Sequence, residues 1–399
     1  MANLLKRMAV RNYRALAKVD VDLGPLNVFF GPNGAGKSTL LDTIWFARDC
    51  AKRGASAASA QRSHGIGMLW DGAAHDALIE IGLETEAARY ALEFGLSSGR
   101  IESHVGERLQ SLSDNLALIV RRPGADTADF YDDRTRETLA FPLREPDKLA
   151  LARYVDFQPK CVEAGEMDRL LQFVHKHECR SFDLHGLRSR GSESSHETWL
   201  WDRGQNAWSV LRNLLGRRGV DDRYDTIDRF MRKAFPSFDG LIIEQTGPLS
   251  VATSFLEKGR RKPISASGVS DGHLQLLLLL TAIFDEGRDR DSLFLLDEPE
   301  VSLHPHALAV LADALKEATS NWNKQILVAT HSPVLISEVS PICIFAATTD
   351  DGGTRLTRID KMPGIQDLLE EYAAGSLFMA ETLAPQGGEP IGGVKSAND

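Results

Sequence analysis

The chain has 399 residues, 43% of them hydrophobic, four cysteines and a formal net charge of −10. That length supports a sizeable buried core, while its longest apolar stretch, Leu274 to Phe284, is too short to span a membrane. Cys50, Cys161, Cys179 and Cys343 lie far apart and form no disulfide framework, the N-terminus has no signal-peptide pattern, and the acidity argues against a chain coated in nucleic acid, so a cytoplasmic protein is expected.

Three strands are expected before residue 31, in KRMAVRNY, KVDVDL and LNVFF, with Gly24 and Pro25 turning the chain before the third. A Gly-rich loop and a helix from Lys37 to Lys52 follow, and Ala77–Leu83 and Arg89–Leu96 alternate like a hairpin. From Leu109 to Pro236 helical spacing dominates, in Leu149–Asp156, Met167–Cys179, Trp208–Leu215 and Tyr224–Phe235. Ser189–Ser195 reads as a mobile polar loop, and Leu241–Glu244 with Leu249–Phe255 as a second hairpin. A helix then starts at Asp271, and buried strands at Ser292–Leu296 and Gln325–Ala329 flank a helix at Pro305–Thr319. The Gly- and Pro-rich tail, 384–399, reads as disordered.

Four motifs carry chemistry. Gly31-Pro-Asn33-Gly34-Ala35-Gly36-Lys37-Ser38, followed by Thr39, matches G-x-x-x-x-G-K-[ST] between an apolar strand and a helix. Glycines let the backbone amides curl round phosphate at a helix N-terminus; Lys37 would reach the β- and γ-phosphates of ATP and Ser38 would ligate Mg²⁺. Leu293–Glu298 is an apolar strand ending in two acids, Asp297 to hold Mg²⁺ and Glu298 to deprotonate the attacking water, although paired acids also serve as ordinary helix caps. His331, closing the strand QILVAT, is placed to sense a γ-phosphate. Ser267–His273 opens a helix and makes a second anion site through Ser270 and Gly272; taken alone it reads as a plain N-cap.

In this order the motifs resemble the ABC ATPases, in particular the RecF/SMC-like and OLD-like branch. Val269-Ser-Asp-Gly-His273 stands where transporter ATPases have LSGGQ, and the runs Glu298–Pro305 and Thr330–Pro333, with Arg11-Asn-Tyr-Arg14 and the segment from Trp201 to Leu211, are similar to that branch. The resemblance implies an α/β ABC-ATPase head with a mixed-sheet P-loop core lobe at 1–108 and 290–383 and a largely helical signature lobe inserted at 109–289. It implies that Arg14 lies near the nucleotide. It also implies a homodimer or higher homo-oligomer in which Ser270 of one head meets the γ-phosphate held by Lys37 of the other. The family's Q-loop glutamine has no clear counterpart; Gln61 is the candidate, though its surroundings do not read as a strand end.

Two roles are compatible with such a head. No coiled-coil arm or C-terminal nuclease is legible, so the chain resembles the ATPase subunits of two-component anti-phage systems of the Septu or PARIS kind, which control a separate effector, a nuclease or toxin. The alternative is a RecF-like repair ATPase that clamps DNA in its ATP-bound dimer. A transporter motor is disfavoured by the signature. Cys161, His175, His177, Cys179 and His185 are read as a histidine-containing surface helix rather than a zinc site, and Lys258–Lys262 as a solvated basic turn.

Overall fold

Residues 5–62, 65, 67–74, 76–97, 100–288, 291–365, 368, 373–379 and 383 are described by a computed structural model. The 384–399 tail lies outside these residues.

The central layer is a six-stranded, mainly parallel sheet. Its strands are β3 (Leu26–Phe30), β10 (Val174–Glu178), β15 (Ser292–Asp297), β16 (Lys324–Thr330), β17 (Ile344–Asp350) and β18 (Gly353–Arg358), in the order β10-β15-β16-β3-β17-β18. Near-continuous apolar runs such as LNVFF and SLFLLD are what a sheet covered on both faces requires. Successive side chains alternate between two cores. Val28, Phe30, Phe294, Leu296 and Val328 join one cluster, while Phe29, Leu293, Leu295, Leu327 and Ala329 join the other.

The second cluster is closed by α1 (Lys37–Arg53) and by an antiparallel sheet of eight strands. These are β1 (Arg7–Tyr13), β2 (Leu16–Asp22), β4 (Ile79–Glu84), β5 (Ala88–Ser97), β6 (Arg100–Ser111), β7 (Ala117–Arg121), β8 (Thr127–Asp132) and β9 (Glu137–Pro142). Against them pack α2 (Ala55–Ala60), α3 (Ala150–Phe157) and α4 (Val162–Gln172).

The first cluster is closed by α5 (Leu184–Ser189), α6 (Ala207–Leu215), α7 (Arg223–Ala234), α8 (Asp271–Phe284), α9 (Pro305–Asn321), α10 (Pro333–Ser337) and α11 (Ala374–Met379). A small sheet completes that side: β11 (Ser192–Glu193), β12 (Phe238–Gly247), β13 (Ser250–Glu257) and β14 (Ile264–Ser265). No helix among the described residues is long and apolar enough to cross a membrane.

Three expectations are corrected. Residue 109 is not a boundary to a helical lobe: it lies within β6, and β7–β9 extend the same antiparallel sheet. Met167–Cys179 is not one helix. Its second half is β10, an edge strand of the central sheet, because the chain turns at Phe173 and Val174–Glu178 pairs with β15. Ser189–Ser195 is built into the fold, with Ser192 and Glu193 paired to Val251 and Ser250.

Candidate functional site

The parallel strands deliver their C-terminal ends, and the loops after them, to one edge of the central sheet, where open α/β sheets bind ligands. Between β3 and α1 the Gly31–Ser38 loop turns through positive φ at Gly34 (81°) and Gly36 (87°). At Gly36 an added Cβ would lie 2.0 Å from Thr354 Oγ1, so both the backbone angle and the space demand glycine. Asn33 and Gly34 form the exposed tip, Ala35 and Lys37 are buried, and Ser38 and Thr39 begin α1 with Ser38 exposed.

Lys37 is 5% exposed, and its ammonium donates to the carbonyls of Gly31 and Pro32, each at 2.9 Å. Burial lowers its pKa to about 8, partly opposed by Glu298, Asp297 and Glu300. Ser38 Oγ donates to Asp297 Oδ1 at 2.9 Å, bringing together two hard oxygen donors from elements 259 residues apart. Burial raises the Asp297 carboxyl above its usual range, against the Ser38 hydrogen bond and Lys176. A partly desolvated carboxylate beside a hydroxyl is a donor set suited to Mg²⁺, which takes one or two protein oxygens and fills its remaining positions with phosphate and water.

Glu298 follows Asp297 with φ 51°, a left-handed conformation uncommon for glutamate, while its N–H continues the ladder to the Ala329 carbonyl at 2.8 Å. Its carboxylate pairs with Arg180 and lies 3.8 Å from His331 Nε2. His331 N–H donates to Glu300 Oε1 at 2.6 Å. Burial, and then the Lys37 charge, lower the His331 pKa, favouring the neutral ring. Lys37, Ser38, Asp297, Glu298 and His331 therefore stand at one sheet edge.

Ser270 and Gly272 lie on the turn packed against the loop after Glu298: a Cβ on Gly272 would lie 2.8 Å from the Ser302 carbonyl oxygen. Ser270 Oγ caps α8, accepting from His273 N at 3.4 Å, and shares a 2.7 Å hydrogen bond with His273 Nδ1. Arg14, with φ 50°, pairs with Asp42 on α1 at 3.1 Å rather than with the loop. Asp42 also accepts from Tyr13 Oη at 2.6 Å and Arg62 Nη2 at 2.9 Å. Burial pushes its carboxyl up, but Arg62 and these hydrogen bonds outweigh that and hold it below its usual value.

Gln61 ends the short helix α2, whereas the strand end beside Asp297 carries Glu178, Cys179 and Arg180. Sequence reasoning missed Arg180 because its importance depends on β10 lying next to β15; recognising VHKHE as an edge strand would have exposed it. His175, His177 and Cys179 belong to β10 and the turn after it, not to a helix, and His177 is buried, its pKa lowered to about 3 by desolvation. No group of three or more His, Cys, Asp or Glu side chains among the described residues is arranged to hold a metal. A cavity of about 710 Å³ opens at the opposite edge of the sheet, but several of its charged side chains are already paired: Asp221 with Arg223, Asp222 with Arg288, and Glu286 with the buried Lys324.

Residues 211–337 match the family described as "AAA domain, putative AbiEii toxin, Type IV TA system", and residues 7–122 match a second AAA domain. The OLD nuclease of Thermus scotoductus is 24% identical over 350 residues, 83% of this chain and 59% of that protein. Protein ea59 of Escherichia phage lambda is 34% identical over 92 residues, covering 23% of this chain and 17% of that protein. The RecF replication and repair protein of Magnetococcus marinus is 30% identical over 179 residues, covering 41% and 46%. The chain thus spans less than two thirds of the length of each of these relatives. Among solved structures, an SMC head bound to the C-winged helix domain of ScpA shares the fold, with TM-score 0.50 and 13% identity over 88% of this chain and 96% of that one. These matches and the shared fold support an ABC-type ATPase of the RecF/SMC/OLD branch.

Proposed function

We propose that this protein binds and hydrolyses ATP and uses the nucleotide as an assembly switch between two heads. The observation that carries the reading is the meeting of Lys37, Ser38, Asp297, Glu298 and His331 at one sheet edge, from segments far apart in sequence. Lys37 exchanges the loop carbonyls for the terminal phosphates, and the amides of Asn33–Thr39 cradle them. Ser38 and Asp297 hold Mg²⁺, which when bound neutralises charge on the transferring phosphoryl group. Glu298 accepts a proton from water as the water oxygen bonds to the γ-phosphorus and the bond to the bridging oxygen breaks, leaving ADP and inorganic phosphate. The neutral His331 ring hydrogen-bonds the γ-phosphate. Ser270 and Gly272 serve the phosphate of a second head, so hydrolysis loosens the pair.

Matches to an OLD nuclease, to a phage protein and to a family described by a toxin system favour a cytoplasmic defence role, with this head controlling a separate effector such as a nuclease or toxin. The RecF matches favour a second reading, a head that clamps DNA. DNA binding that needs ATP and weakens steeply with salt would support the latter, whereas co-purification of a nuclease or toxin supports the former.

Glu298→Gln tests the hydrolytic reading. The amide keeps the side chain's shape but accepts the water's proton poorly, so turnover falls by about two orders of magnitude or more, while ATP and Mg²⁺ still bind. Normal turnover in a phosphate-release assay would remove Glu298 from the mechanism.

A further inference from the structure

Strand β10 runs parallel to β15 with Glu178 opposite Asp297, so the chain after Glu178 leaves the sheet at the same edge as Asp297 and Glu298. The turn that follows, Cys179–Ser181, has a pinned backbone. Gln275 Nε2, buried on α8, donates to the Cys179 carbonyl at 2.8 Å, Ser181 Oγ to the Glu178 carbonyl at 2.7 Å, and Arg203 Nε to the Ser181 carbonyl at 3.2 Å. The Arg180 side chain is otherwise in solvent, 71% exposed, and its guanidinium reaches the Glu298 carboxylate. A cation anchored at its root and exposed along its length changes partner at little cost. A terminal phosphate gathered by Lys37 offers it more charge than one carboxylate and a geometry that suits a bidentate guanidinium.

We infer that Arg180 is a terminal-phosphate-sensing clamp on Glu298, a positioning residue that sequence motifs do not reveal. The guanidinium holds the Glu298 carboxylate. When ATP is bound the γ-phosphate draws the guanidinium away, and Glu298 is released to accept the proton of water. ADP has no γ-phosphate, so the clamp stays closed on product. The Gln275 bond ties the clamp's anchor to the helix that begins at Ser270–Asp271, so movement of that helix is felt at Arg180. The inference rests on the roles given above to Lys37 and Glu298.

The test uses the full chain with Glu298 intact and measures by calorimetry the affinity for Mg-ADP and for Mg-bound ATP in a form whose β–γ bridge resists hydrolysis. Arg180→Ala should weaken ATP by about tenfold while ADP changes by less than about twofold, since only one charge-assisted contact is lost and only ATP makes it. Arg180→Lys should recover part of the ATP affinity, because charge returns without the fork. Unchanged ATP affinity in Arg180→Ala overturns the clamp, and so does an equal loss for ATP and ADP, which would mark a role confined to shaping the pocket. A thermal melt confirms that the exposed substitution leaves the fold intact. Failure of the underlying reading shows separately, as ATP binding that survives Lys37→Ala or turnover that survives Glu298→Gln with Arg180 intact.

Discussion

Lys37 carries the sharpest residue-scale consequence. Its pKa, lowered to about 8 by burial, means that part of the population is neutral just above physiological pH. ATP needs the ammonium, so binding raises this pKa and takes up a proton wherever the amine is neutral. ATP affinity should therefore be flat below pH 8 and fall above it, approaching about tenfold per pH unit. Lys37→Ala should lose both the affinity and this slope. Calorimetry across pH 8 in buffers of different ionisation heat reads both, and a profile that stays flat through pH 9.5 would show that Lys37 is not the phosphate's cation. The residues of this loop are legible in sequence because their spacing is local. Arg180 is not, since nothing in CRS announces that β10 lies beside β15.

At the scale of elements, the long antiparallel sheet is tied to the helices behind it by one buried acid. Glu107 on β6 accepts from the N–H groups of Ala150 and Leu151 at 2.6 and 3.3 Å, capping α3 from outside its own chain segment, and from Tyr90 Oη at 2.7 Å and Arg121 at 3.2 Å. Both Glu107 and Arg121 side chains are fully buried. Glu107→Ala should cost about 3–5 kcal/mol of folding stability, because it strands a buried guanidinium, and Glu107→Gln should cost less. Denaturant melts compare the two; a loss within the noise for Glu107→Ala would mean the pair is not sealed from water. The strands around it were hard to read. β9 is almost wholly exposed and shows no inward-outward alternation, and β10 is a polar edge strand. By contrast β3, β15 and β16 are buried runs that any reading finds.

For the whole molecule, the question is whether two heads close on ATP. Ser270 caps α8 at an exposed position, on the turn packed against the Glu298–Ser302 loop. Ser270→Arg should leave ATP binding by the single chain nearly intact, abolish hydrolysis, and keep the protein at its nucleotide-free size in gel filtration with ATP. Mixing Lys37→Ala with Ser270→Arg chains should restore at most one working site per pair. Hydrolysis that survives in Ser270→Arg would sink the two-head reading.

The sequence alone determined the Gly31–Ser38 loop, the Asp297–Glu298 pair at a strand end, the strand-end His331 and the helix capped by Ser270, because each is a short segment whose spacing and flanking apolar run carry the whole signal. It also carried the resemblance to the RecF/SMC/OLD branch, since the order of those motifs is a one-dimensional property. Only the tertiary structure decided what stands beside them. Arg14 turns to Asp42, the expected lobe boundary at residue 109 dissolves into a continuing sheet, and Arg180 reaches Glu298. Those outcomes depend on strand pairing between distant segments, and pairing is settled by which edges and faces remain to be covered once the core has closed, a competition that local spacing does not record.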